Sequence, residues 1–366
     1  MTRALVDTLL RLALRVLAPR RKAPSGVLLV TVRGPAEMVF LSAVLARFMR
    51  LAQPRETVTL LLRRDAAGMA FLFPPGLVLK RVDYAGLGDS GYRWKVFREL
   101  HRANFRLVVS LDDRRVAEQD EALVAATRAP QRAAMAIGGD GRRHLGGAFT
   151  RLFAAGDAHC DKILRWSRFA DFLAGHRQPT ALARLPDARL PDPMRLPPTA
   201  VLLPFSGVME RQLPPHLWLD VIAALPPDWQ VRVAAHRADF DRNPQFMRII
   251  GSERVMVDTS NFEKLASVLM GSRLAVGVDT AGIHLAILLG VPTVCVASAA
   301  YVGAGVPYDD KVIPATAHFL YTPMPCQGCL GRCHLPPERG MLPCVAAVAA
   351  GRVVGAVQDM LIRGGA

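Results

Sequence analysis

A chain of 366 residues, 51% hydrophobic and 21% charged, is long enough for two ordinary α/β cores and too apolar to be disordered. Its net charge of +15 is carried almost wholly by arginine, whose planar donor fork suits phosphate and carboxylate groups. Such an excess fits nucleic acid, an anionic membrane surface or phosphorylated small substrates, and the absence of about 18 consecutive uncharged apolar residues excludes a bilayer-spanning helix.

Residues 1–25 open with MTRALVDTLLRLALRVLAPRRK, an amphipathic pattern. Arg3, Asp7, Arg11 and Arg15 repeat on one helix face, Leu5, Leu9, Leu12 and Val16 lie on another, and Arg20, Arg21 and Lys22 follow. An apolar face beside a basic stripe suits an interfacial helix at an anionic membrane; the alternative is a helix docked on the protein's own core. Arg11 and Arg15 interrupt the apolar stretch, so it does not read as a secretory signal. The expected setting is cytoplasmic and reducing, with few disulfides.

From residue 26 onward, strand-like and helix-like segments alternate. GVLLVTV (26–32), ETVTLLL (56–62) and RLVVSL (106–111) read as buried strands, with a helix from Glu37 to Met49 after the first. This alternation predicts a parallel sheet covered on both faces over 26–178. A proline-rich, aperiodic stretch follows at 179–198 and reads as a linker. A second α/β series fills 199–345, with strands at TAVLLPF, WQVRVAA, RLAVGV and PTVCVAS. Residues 346–366 read as one or two terminal helices. The expected architecture is α/β, two sheet domains with a cleft between them.

Chemistry concentrates first at RLAVGVDTAGIHLAILLGVPTVCV (273–296), where Asp279 and Thr280 stand between a buried strand and a helix. The first-turn amides of a helix lack internal partners and carry the positive end of its dipole, so a pyrophosphate suits that position. Thr280 and His284, four apart, share a helix face. The plainer reading makes Asp279 a cap and His284 a packed core residue.

This segment resembles the D-T-G-x-x-H-x-A-x-x-x-G-x-P-T signature of bacterial glycosyltransferase family nine, the lipopolysaccharide heptosyltransferases. Asp279, Thr280, Ala281, Gly282, His284, Ala286, Gly290, Pro292 and Thr293 occupy its places, with Ala281 for the usual glycine. The resemblance implies two Rossmann-like domains facing a cleft, the GT-B type, and a donor diphosphate held by Arg211, Asp279, Thr280, Ala281, Gly282 and His284. VLLPFSGVMERQLPPHLWLDVIAAL (201–225) resembles the family's strand, loop and K-x-W-P stretch, placing Arg211 at a phosphate-facing lysine and Leu213 at the tryptophan. VTVRGPAEMVFLSAVL (30–45) resembles its first strand, loop and helix. Ala36 and Glu37 stand at a Gly-Asp pair there, so Glu37 is the implied catalytic base. On its own, Glu37 reads equally as a first-turn carboxylate favouring the helix dipole.

Cys326, Cys329, Cys333 and Cys344 form a C-x2-C-x3-C-x10-C cluster. Four such thiolates suit a structural zinc with no open position for catalysis; iron–sulfur ligation and unligated thiols remain alternatives. Similar clusters occur after the last strand in a subset of the family. Arg142, Arg143 and His144 read as a solvated loop or an acceptor contact. His236, Arg237 and Asp239 lie where the family binds nucleoside, in too loose a match to carry over.

Together these features imply an inverting transferase that needs no metal for its chemistry. Its donor would be a nucleotide-sugar, ADP-heptose by resemblance. The acceptor would be a lipid-linked saccharide at the inner membrane. No aromatic-studded basic face or nucleic-acid motif is present, so a nucleic-acid partner is not expected. A non-catalytic descendant that binds nucleotide or glycolipid is the alternative.

Overall fold

The apolar runs fold into two separate six-stranded parallel sheets, each covered by helices. The structure, a computed structural model, describes residues 3–17, 23–113, 115–136, 147–154, 161–185, 190–251 and 253–364. The chain divides into two compact units. The first comprises Met1–Met38, Val44–Gly156 and Arg165–Pro179; the second comprises Val39–Ala43, Asp157–Leu164 and Thr180–Ala366.

In chain order the first half of the molecule runs α1 (Arg3–Leu17), β1 (Val27–Val30), α2 (Pro35–Met49), β2 (Val58–Arg63), β3 (Leu77–Val82), α3 (Ser90–Ala103) and β4 (Leu107–Ser110). It continues through a π-helical turn (Ala117–Glu121) into α4 (Ala122–Thr127), β5 (Gln131–Met135), β6 (Arg151–Phe153) and α5 (Lys162–Ala174). The strand order is β3-β2-β1-β4-β5-β6. Val27 of β1 lies opposite Val58 of β2 on one side and Leu107 of β4 on the other. Both β1 and β4 are buried throughout, as strands covered on two faces must be.

The amphipathic helix α1 docks on this unit, but not by its leucine stripe. Leu14 is fully buried and Asp7 forms a two-pronged ion pair with Arg93 of α3, both side chains nearly inaccessible. Leu9, Leu12 and Val16, on the other side, are 49%, 50% and 78% exposed. A buried charge is tolerated only when paired and hydrogen-bonded, and this pair sets which face of α1 turns inward. Among the described residues no helix is long and apolar enough to cross a membrane.

The second sheet is built from β7 (Thr199–Leu203), α6 (Pro215–Ala224), β8 (Gln230–Ala234), α7 (Arg237–Arg242), β9 (Val255–Asp258), α8 (Phe262–Gly271), β10 (Leu274–Val278), α9 (Ala281–Leu288), β11 (Thr293–Val296) and β12 (Ala317–Leu320). Two helices, α10 (Pro343–Ala346) and α11 (Ala350–Gly364), close the chain. Its strands lie in the order β9-β8-β7-β10-β11-β12. Numbered by their own succession, both sheets therefore read 3-2-1-4-5-6, the doubly wound Rossmann order. The repeat is one of topology, since the two halves share no obvious residue pattern.

The proline-rich stretch is fastened to the second unit. Ala183 and Leu185 donate backbone hydrogen bonds to Val312 and Leu288, and Met194 donates to Ser267. A side chain at Gly271 would place its Cβ 2.0 Å from the Met194 carbonyl oxygen, so glycine permits that close pass.

Candidate functional sites at the two switch points

In a sheet wound 3-2-1-4-5-6, the loops after the first and fourth strands diverge to opposite faces and leave a crevice at their carboxyl ends. In the second unit those strands are β7 and β10. The loop after β7 carries Arg211, at the end of a 3-10 turn (Met209–Arg211) before the Pro214–Pro215 start of α6; the turn after β10 is Asp279–Thr280.

These two loops meet. Arg211 donates from Nη1 to Asp279 Oδ2 at 3.0 Å, while Asp279 Oδ1 lies 2.8 Å from His284 Nε2. His284 Nδ1 lies 2.9 Å from the Tyr308 hydroxyl. Burial drives the Tyr308 hydroxyl well above its ordinary pKa, with the neighbouring Cys295, Asp161 and Asp279 adding to the effect. Tyr308 thus keeps its proton and is assigned as donor to Nδ1, leaving Nε2–H for Asp279. For Asp279, burial opposes the charged form, but the His284 hydrogen bond outweighs it together with the charges of Arg211 and Lys162. The net result is a carboxyl held below its usual range.

The guanidinium of Arg211 also lies 4.8 Å over the Tyr301 ring, and its Nε is buried without a hydrogen-bond partner. At the start of α9, Thr280 is extended and its side chain caps no amide. Gly282 lets α9 lie close on β7: a Cβ there would stand 2.3 Å from Leu203 Cδ2. Gly290, at φ +78°, stops the helix two residues after Leu288, as the sequence implies. Arg211 with its unsatisfied Nε thus lies near the uncapped start of α9, a setting that favours an anion.

Of the residues expected there, Arg211, Asp279, Thr280, Ala281 and Gly282 are gathered at this one turn. His284 is placed differently. It is 1% exposed, with its two ring nitrogens engaged by Tyr308 and Asp279. Three members of the second unit were not legible as site residues. Tyr308 holds the His284 ring, Phe40 packs on that ring at 4.3 Å, and Lys162 lies 5.9 Å over the Phe40 ring while its charge reaches Asp279.

The first unit repeats the plan. After β1, Thr31 Oγ1 donates to Asp112 Oδ1 at 3.0 Å and the Val32 amide donates to Asp112 Oδ2 at 2.8 Å; Asp112 follows β4. Arg33 adds a longer contact to the same carboxylate, and the Tyr84 hydroxyl donates to the Thr31 carbonyl. This bracing presents α2, which starts at Pro35 with no side-chain cap on its N-terminus and carries Glu37 in its first turn. Arg63 is held above the ordinary guanidinium range, first by Asp65 and more weakly by Glu37, which puts the Glu37 carboxylate within electrostatic reach of a cation. Beneath the loop, burial and then Asp112 raise the Asp120 carboxyl to about 7.

Cys326, Cys329, Cys333 and Cys344 are free thiols, the first three partly buried and Cys344 buried. Among the described residues no group of three or more His, Cys, Asp or Glu side chains is disposed to hold a metal ion. Cys344 turns into the core from α10 and its Sγ lies 3.6 Å from Ser298 Oγ, whereas Cys326 hydrogen-bonds Cys333. Loss of solvent, then the nearby Cys333 and Cys329, push the Cys326 thiol up. His236 and Asp239 close the start of α7 as a reciprocal cap. Arg142, Arg143, His144 and Cys160 lie outside the described residues.

No protein-family model and no curated protein matches the chain. Solved structures do. A glycosyl transferase family 9 structure from Veillonella parvula DSM 2008 is 12% identical with a TM-score of 0.66, covering 94% of this chain and 99% of that one. E. coli ADP-heptose lps heptosyltransferase II is 12% identical at TM-score 0.64, covering 93% and 100%. E. coli heptosyltransferase WaaC with ADP-2-deoxy-2-fluoro heptose is 15% identical at TM-score 0.64, covering 92% and 99%. The likeness is one of fold: two Rossmann-like sheets of the GT-B type.

Proposed function

We propose that the protein is a glycosyltransferase that moves a sugar from a nucleoside-diphosphate donor to a glycolipid acceptor with inversion. The observation that carries the reading is the buried, unpartnered Nε of Arg211 beside the uncapped start of α9. A buried donor left unmade costs about 1–3 kcal/mol, and a diphosphate oxygen would satisfy it. Asp279 supports this by fixing Arg211 from one edge and leaving the other edge for the ligand, while His284 and Tyr308 hold Asp279 in place.

The reaction follows from these parts. The acceptor hydroxyl attacks the anomeric carbon, Glu37 takes its proton, and the bond from that carbon to the diphosphate oxygen breaks with its electron pair leaving on phosphate. Arg211, Lys162 and the α9 amides supply the positive charge for the leaving group, so no step is routed through a metal. The heptosyltransferase fold neighbours, one of them holding an ADP-heptose analogue, favour ADP-heptose as donor. A lipid-linked lipopolysaccharide-core saccharide is the acceptor class that fits.

Assay of transfer from a nucleotide-sugar panel to such a glycolipid tests the reading. Glu37→Gln should lower turnover by about 10²-fold or more while donor affinity stays within about twofold. Unchanged turnover would remove Glu37 from the chemistry. Donor binding without transfer by the wild type would make the protein a binding descendant of the same fold.

A further inference from the structure

The cysteine segment closes on Arg211 from two directions, all of it within the second unit. From one side, the Leu342 amide donates to the Glu210 carbonyl at 2.8 Å and pins the 3-10 turn one residue before Arg211. From the other, the Gly328 amide donates to the Ala299 carbonyl at 3.0 Å and the Leu330 amide to the Ala300 carbonyl at 2.7 Å. Ala299 and Ala300 belong to a second 3-10 turn, Ala299–Tyr301, which follows β11 and ends on Tyr301. Ser298 caps that turn: its Oγ accepts from the Ala300 amide at 3.1 Å and lies 3.6 Å from Cys344 Sγ. The Tyr301 ring at the end of this chain of contacts is the one beneath the Arg211 guanidinium, 4.8 Å from its centroid.

The backbone of the loop is shaped for these contacts. Gly328, Leu330 and Gly331 take φ of +79°, +58° and +80°. Left-handed backbone is open to glycine but disfavoured for leucine, so Leu330 is held there by contacts such as the bond its amide makes to Ala300. Gly331 answers a second demand. A Cβ there would lie 3.1 Å from the Tyr301 hydroxyl oxygen, closer than a carbon normally sits, and 3.9 Å from Cζ, an ordinary contact. The loop thus passes over the rim of the tyrosine with room for no side chain beside its oxygen. Cys329 and Cys333 pack on the core of the second unit, as Tyr301 does, so loop and ring stand on one foundation.

We propose that Tyr301 is a positioning residue for Arg211 and that the cysteine segment, residues 326–344, is its support. This rests on the reading of Arg211 as the cation that meets the diphosphate. Asp279 restrains one edge of the guanidinium, and attraction to the tyrosine ring restrains it from another direction. A long side chain that is already ordered spares the ligand the cost of ordering it, so the support acts on donor affinity without touching the donor.

Calorimetric titration of the full chain with ADP, taken as the diphosphate probe, tests this. Tyr301→Leu should weaken ADP about fivefold, whereas Tyr301→Phe, which keeps the ring, should stay within about twofold of the wild type. Gly331→Ala should weaken ADP about threefold by displacing the tyrosine, and adding Tyr301→Phe should restore it because the crowded oxygen is gone. A loop that serves stability alone would lower the melting temperature in Gly331→Ala and show no such recovery of affinity, which would overturn the proposal. In the Arg211→Ala background Tyr301→Leu should cost less than about twofold more, since no guanidinium is left to position. If Tyr301→Leu fails to fold, the Gly331→Ala pair carries the test. Unchanged affinity in Tyr301→Leu, with Arg211→Ala impaired, would overturn the positioning role and leave Arg211 as the cation for the anion. Equal losses from Tyr301→Leu with and without Arg211 would overturn it too. A wild type that binds no ADP at millimolar concentration would sink the reading of Arg211 itself, and this proposal with it.

Discussion

Arg211 and Asp279, 68 residues apart in sequence, meet at 3.0 Å where β7 and β10 diverge. The contact ties the two loops of the second switch point together and leaves Arg211 Nε buried without a hydrogen-bond partner. Arg211→Ala removes the counter-charge of Asp279 as well as the donor for a ligand. Nucleotide affinity should fall by about 2–4 kcal/mol, read by titration calorimetry, because truncating one partner of a desolvated pair strands the other. Arg211→Lys keeps the charge but loses the second prong, and an intermediate loss of about tenfold is expected.

Tyr308→Phe deletes one hydroxyl and leaves His284 Nδ1 buried without a donor. Urea denaturation should show a loss of about 1–3 kcal/mol. Nucleotide affinity should weaken only a few-fold, since Tyr308 acts through His284 and Asp279. A stability loss with affinity untouched would separate the tyrosine from the site.

Asp120 makes the first unit pH-sensitive. Its carboxyl is raised from 3.8 to about 7 by burial, then by Asp112, with Glu121 contributing less. Between those values the folded protein holds a proton that the unfolded chain has released, so stability falls as pH rises through the window and levels off above it. The loss totals roughly 4 kcal/mol at about 1.4 kcal/mol per pH unit. Denaturation measured at pH 5 and pH 8 should show this decline, and Asp120→Asn should flatten it.

Asp7→Ala removes the carboxylate that pairs with the buried Arg93 guanidinium, and about 3–5 kcal/mol of stability should be lost. Limited proteolysis should then cut α1 first. Loss of stability without earlier cleavage would mean that Leu14 alone keeps the helix docked.

The central strands of both sheets are legible because each is a continuous apolar run bounded by turn residues, as in Val27–Val30 and Leu274–Val278. The outer strands β3, β6, β9 and β12 are not, because an edge buries less and tolerates residues such as Lys80, Arg151 and Met256. Asp279 and Thr280 could be read because they sit at a strand end where the local pattern changes, whereas Arg211, in a loop well past β7, is reached only through the family resemblance. Phe40 and Lys162 could not be read, for their contacts join segments more than a hundred residues apart, and Tyr308 could not because no local pattern ties it to His284. The leucine stripe of α1 was visible, but which face turns inward depends on Arg93, far along the chain. Cysteine spacing likewise says nothing of whether Cys344 points toward its neighbours or into the core.

Melting temperature with and without nucleoside-diphosphate sugars, in the wild type and in Arg211→Ala, probes the anion crevice most directly. A ligand that binds only the folded protein must raise it at saturation. The wild type should gain several degrees with one such compound, and the variant little or nothing. If millimolar nucleotide-sugars leave the wild type unmoved, or shift both proteins alike, the start of α9 is not where a diphosphate binds.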